Sequence, residues 1–67
     1  MKQPYSIFCI LNGKIISSAW IDQPDDDAAL KRAHWYFSAS AADTVHLHRG
    51  APFYPLGELI AEIREAA

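Results

Sequence analysis

The decapeptide "FCILNGKIIS" constrains this chain more than any other stretch. Asn12-Gly13 sits between two apolar runs and is the preferred two-residue type I′ hairpin turn, because both turn positions need positive φ. An uninterrupted ladder from that turn pairs Leu11 with Lys14, Ile10 with Ile15, Cys9 with Ile16, Phe8 with Ser17 and Tyr5 with Trp20. One face then carries Tyr5, Ile7, Cys9, Leu11, Ile16 and Trp20, and the other carries Phe8, Ile10, Ile15, Ala19 and Ile21. Both faces are apolar. A strand like the first belongs in the middle of a sheet that is covered on both sides.

Downstream, "DQPDDDAALKRAHWYFSASAAD" opens on Asp22 or on Pro24-Asp25, with acidic residues in the first turn, where the helix dipole favours them. The run Asp25-Asp26-Asp27 is accounted for by capping. Leu30, Ala33, Phe37 and Ala41 follow the spacing of a buried helical stripe, flanked by Ala29 and Tyr36. "SASAAD" ends the helix. "TVHLHRG" alternates, with Val45 and Leu47 to one side and Thr44, His46 and His48 to the other, and Gly50 closes this strand. After the rigid connector "APFYP", the stretch "LGELIAEIREAA" places Leu56, Leu59, Ile60 and Ile63 on one helical face, with Gly57 weakening the first turn. The expectation is an α+β chain, ββαβα, forming one small domain over residues 1–67. Its sheet is three-stranded, antiparallel and ordered 2-1-3, with a right-handed crossover helix and a C-terminal amphipathic helix. The second sheet face is left to that last helix or to a partner chain.

A chain of 67 residues buries roughly 60% of its unfolded surface, so its core is small and its stability marginal unless it is stapled or oligomeric. The single cysteine, Cys9, excludes an intramolecular disulfide and a CxxC zinc knuckle, and a lone thiol in an apolar run fits a reducing, cytoplasmic compartment. The N-terminus has no basic region leading into an apolar segment, and the apolar runs fall far short of a membrane helix of ~20 residues. Six basic residues scattered over an acidic chain of net charge −2 argue against nucleic acid, which requires clustered Lys and Arg.

His46 and His48 share a strand face, and His34 is a conceivable third ligand. Zinc, however, requires three or four ligands with supporting groups, and two histidines without a nearby Cys or Asp read as the solvated face of a strand. Neither a metal nor a cofactor is expected. Cys9 lies mid-strand, where a thiol is inert. No GxSxG, P-loop or GxGxxG occurs, and so short a chain has little volume for a pocket of ~300 Å³ or more. The chain therefore reads as non-catalytic.

Trp35 lies opposite the Leu30–Ala33–Phe37 stripe, and Ala28, Arg32, Trp35 and Ala39 recur along that outer face. Small residues around a Trp and an Arg form a surface with two residue types enriched at binding hot spots, which makes these four the candidate protein-binding residues. His46, His48 and Arg49 form the alternative surface. Trp20, placed with Ile7 and Cys9, is expected in the core, where truncation costs ~3–5 kcal/mol. Trp35→Ala is expected to leave the fold within about ±0.5 kcal/mol.

The hairpin, the "DDAALKRA" helix and the "VHLHRG" strand together resemble, over residues 5 to 50, the small bacterial or phage proteins with a ββαβ core. HicB-type antitoxins and several anti-CRISPR proteins are similar in layout, and the C-terminal segment departs from the bare ββαβ pattern. The resemblance carries over no functional residue. It implies a regulatory protein that binds an enzyme or nuclease. The residues themselves favour a protein-interaction module acting as a homodimer, and a metal or small-ligand domain using His46 and His48 is a third reading.

Overall fold

The computed structural model describes residues 1–65. Four strands and one helix follow in the order β1 (Gln3–Leu11), β2 (Lys14–Gln23), α1 (Asp26–Ala39), β3 (Thr44–Arg49) and β4 (Leu59–Arg64). They form one antiparallel sheet ordered β2-β1-β3-β4. Asn12 (φ 52°) and Gly13 (φ 79°) make the turn that their sequence demands. β2 and β3 run parallel to each other, so α1 is the crossover that carries the chain over β1. No helix among the described residues is long and apolar enough to cross a membrane.

Two expectations are corrected. The first is the C-terminal helix: residues 59–64 form β4, so the sheet has four strands rather than three and α1 is the one helix among the described residues. The last two residues of the expected helix, Ala66 and Ala67, lie outside the described ones. The free edge of β3 explains the outcome, since its backbone groups need partners that a helix does not supply. Ile60 and Ile63, three apart, suggest helical spacing. The ladder instead shifts between Leu47 and His48, and Ile60 is the extra residue. With that bulge, Ile60, Ala61 and Ile63 all pack against the core.

The second correction is the hairpin register. Leu11↔Lys14 and Ile10↔Ile15 pair as expected, then the register shifts, giving Cys9↔Ser17, Phe8↔Ser18, Ser6↔Trp20 and Tyr5↔Ile21. Ile16 is the bulged residue. A shift of one residue sends every later β2 side chain to the opposite face. Trp20 leaves the core and stands 56% exposed, while Ala19 and Ile21 move inward and pack on the core. Gly57 is likewise no helix breaker: a Cβ there would fall on the carbonyl oxygen of Arg49, so the close approach that leads into β4 requires glycine.

The core lies between α1 and one face of the sheet. Tyr5, Ile7 and Cys9 of β1, Val45 and Leu47 of β3, and Ala29 and Ala33 of α1 are buried there. Two alanines at the centre of the helix stripe let α1 approach the sheet closely, with Leu30, Tyr36 and Phe37 closing the sides. Ala41, expected in the stripe, lies beyond the helix end and is exposed.

Leu47→Ala is expected to cost ~2–5 kcal/mol, the range for a buried leucine. Trp20→Ala, by contrast, is expected to cost about 1 kcal/mol, the worth of one aromatic edge contact. Gly57→Ala is expected to exceed about 2 kcal/mol, because backbone and not a flexible side chain must yield. Urea unfolding followed by circular dichroism at low micromolar concentration ranks the three. Equal costs for Leu47→Ala and Trp20→Ala would contradict this register.

Candidate functional site: an uncovered sheet face

The side of the sheet away from α1 carries no helix among the described residues; Ser6 and Phe8 at its centre are buried, and its flanks are exposed. Register places Ile15, Ser18 and Trp20 of β2, Ser6, Phe8 and Ile10 of β1, Thr44, His46 and His48 of β3, and Leu59, Glu62 and Arg64 of β4 on it. The face has two parts. At the β2 side Trp20 meets Phe53 of the connector edge-to-face at 5.4 Å, and across the central strands Phe8 meets His48 the same way at 5.5 Å. At the β4 side Glu62 accepts from His46 Nε2 at 2.7 Å and from Arg64 Nε at 2.7 Å. A carboxylate only accepts, so His46 carries its proton on Nε2; His48 donates from Nδ1 to the Gly57 carbonyl at 3.0 Å. His46 and His48 therefore each have a protein partner, and their rings are 6.2 Å apart.

The sequence pattern does not bring Glu62 and Arg64 to His46, because a helix over these residues carries them away from it. The alternation "VHLHR" against "AEIR" was the available signal. Among the described residues no group of three His, Cys, Asp or Glu side chains is placed to hold a metal. Cys9 pairs across the ladder with Val45 and lies on the helix side, with the sheet between it and both histidines. No Cys–His pair forms.

A second polar cluster lies on the helix side. Tyr5 Oη donates to Asp26 Oδ1 at 2.7 Å, and Arg49 donates to both carboxylate oxygens at 2.9 and 3.0 Å. Asp25 is the helix cap, accepting from the Ala28 amide at 2.8 Å. Asp26 is thus more than a first-turn acid, and Arg49, expected beside His46 and His48, points to the other side of the sheet. Arg49 first and Tyr5 second hold the Asp26 carboxyl below its ordinary 3.8. The same bond to Asp26, then burial, raises the Tyr5 phenol above 10.0. Arg64 first and His46 second hold Glu62 below 4.5.

Two depressions of about 400 and 380 Å³ border these clusters, one lined by Gln3, Asp25, Asp26, Asp27 and Arg49, the other by Ile10, Asp43, Thr44, His46, Glu62 and Arg64. They exceed the volume expected of so short a chain. Both are open and mainly polar, unlike the enclosed apolar clefts that hold small ligands.

On the outer face of α1, Arg32, Trp35 and Ala39 are exposed and Ala28 is partly so. No family model, curated protein or solved structure matches the chain.

The Asp26 cluster has a pH signature. A carboxyl whose folded pKa is depressed stabilises the fold fully above its unfolded value and loses that contribution as pH falls through the folded one. Asp26→Asn is expected to lower stability at about pH 6. The gap to the parent chain should close as the solution is acidified below the ordinary carboxyl value of 3.8. Urea midpoints at several pH values measure this, and a constant gap would contradict it.

Proposed function

We propose that this chain is a non-catalytic protein-interaction module that acts as a homodimer, stacking two copies through the uncovered sheet face. One observation carries the reading. β1 is apolar on both sides, and α1 covers only the side bearing Tyr5, Ile7 and Cys9. Among the described residues nine large apolar side chains are exposed over the chain as a whole. Ile15, Trp20, Phe53 and Leu59 of that exposed set stand on or beside the same face.

The sheet edges are poorer contact surfaces. Both edge strands, β2 and β4, carry a bulge, at Ile16 and Ile60, and bulges disrupt the regular array of backbone groups that edge pairing needs. The face also suits a second copy electrostatically, because Glu62 is balanced by Arg64 and His46 within the same chain. A standard interface takes roughly 800 Å² per partner, under a fifth of the 4504 Å² this chain exposes.

Sedimentation equilibrium tests the proposal. A dimer is expected at roughly 100 µM, dissociating on dilution by mass action. Trp20→Lys should give a folded monomer, and Trp35→Ala should leave the dimer intact. In a Trp35→Phe background, Trp20 emission should shift to shorter wavelength with concentration. A strict monomer at the upper concentration, or a dimer indifferent to Trp20→Lys, would overturn it.

A further inference from the structure

The outer face of α1 holds a second surface of different chemistry. Beyond the first turn, residues 28–39 contain Lys31, Arg32 and His34 and no carboxylate, in a chain of net charge −2. The other two arginines are committed, Arg49 to Asp26 and Arg64 to Glu62. Arg32 has no carboxylate within 4.0 Å among the described residues. Instead its guanidinium sits 5.1 Å from the centre of the Trp35 ring and 5.9 Å from that of Tyr36. Trp35 stands edge-to-face on Tyr36 at 5.0 Å, and Tyr36 packs against the core. The stack is therefore rooted in the fold while Trp35 remains 55% exposed.

Stacking on aromatic faces holds a guanidinium in place without using its N–H donors. A planar fork fixed in this way is ready for a carboxylate, with less side-chain freedom left to lose on binding. Lys31 supplies a second free cation beside it. Ala28 and Ala39, the small residues on the same face, leave the Trp35 ring open to an apolar side chain. We propose that the Arg32–Trp35–Tyr36 stack docks an acidic segment of a different protein, its carboxylates on Arg32 and Lys31 and an apolar side chain against Trp35.

Nucleic acid fits less well, because two free cations fall far short of the ~6–10 phosphate contacts of a duplex-binding surface. The stack lies across the sheet from the uncovered face, so it is available whether or not two copies associate. The inference rests only on the interaction-module reading, and sedimentation, which tests the dimer, does not test it.

The test follows the two indole N–H signals of the full chain by nitrogen-edited NMR, assigned with Trp20→Phe and Trp35→Phe. The probe is a synthetic ten-residue peptide of Asp and Glu with a central Phe-Leu pair. Its Lys-substituted counterpart and a single-stranded ten-nucleotide DNA serve as comparators. The Trp35 indole and the Arg32 Nε–H should shift saturably with the acidic peptide, while the Trp20 indole stays in place. Affinity should fall at least ~30-fold in Arg32→Ala and in Trp35→Ala, the hot-spot scale. Arg32→Ala keeps the helix, since alanine is the best helix former. The proposal is overturned if the peptide fails to saturate by about 1 mM, the weak end of specific binding. It is equally overturned if Trp20 responds instead, if Arg32→Ala binds as tightly as the parent, or if the DNA binds more tightly than the peptide.

Discussion

The Asp26 carboxylate ties together three parts of the chain that are far apart in sequence. Tyr5 from β1 gives it one hydrogen bond, and Arg49 from the end of β3 gives it two. The fully buried side chains of α1 are both alanines, so apolar contact alone orients the helix weakly on the sheet. Asp25 caps the helix and sets where α1 starts, and three donors converging on Asp26 in its first turn fix how it lies. The arrangement also resolves a packing problem, because a fully buried tyrosine needs a partner for its hydroxyl. The same end is closed by the Gly50 amide on the Pro4 carbonyl at 2.9 Å, where β3 leaves the sheet. At the opposite end the Asn12 amide donates to Asp43, joining the hairpin turn to the start of β3. β1 is held at both ends and paired along both edges, and the remaining elements take their positions from it.

That dependence on β1 is also the source of the asymmetry on which the proposed function rests. A strand apolar on both sides has to be covered twice; the helix covers one side, and on the other Ser6 and Phe8 are buried while the flanking Ile15, Trp20 and Leu59 stay exposed. The bulges in β2 and β4 then act in a consistent direction. The bulge at Ile16 turns Trp20 outward and brings Ala19 and Ile21 inward, and the bulge at Ile60 lets three apolar residues of β4 reach the core side. The helix side thereby gains aliphatic contacts close to the sheet, and the large aromatic Trp20 is left on the open side with Phe53. Packing of the core and exposure of the aromatic rim have the same local cause.

Much of the fold is legible in the residues. Asn12-Gly13 fixes the hairpin, the acidic run gives a helix start at Asp22 or Pro24-Asp25 of which the structure takes Asp25, and the alternation of residues 44–49 gives β3 together with the faces of Val45 and His46. What escapes is what one extra residue does to a ladder. Ile15-Ile16-Ser17 gives no local sign that Ile16 is skipped, because apolar residues on both faces make either register plausible. The C-terminal stretch fails for a related reason. Ile60 and Ile63 fit helical spacing as well as they fit a bulged strand, and the deciding factor, the unpaired edge of β3, is non-local. The open face was thus anticipated only as a surface left over. Its members from β4 and its aromatic rim require the register, while the exposure of Trp35 depends on helix phase alone and is legible directly.

In so small a fold, association and stability are not separable. A chain of this size keeps only a narrow margin between burial and conformational entropy, and any partner that binds the folded state alone adds its binding free energy to that margin. The two surfaces differ in what they add. On the proposed reading, a second copy on the sheet face buries Ile15, Trp20 and Leu59 beside β1, the strand on which the rest of the structure is built, and so stabilises the whole chain. Contact at the Arg32–Trp35–Tyr36 stack reaches the core only through Tyr36 and buries little beyond the stack itself. As proposed, the first surface therefore suits a permanent partner and the second one that comes and goes.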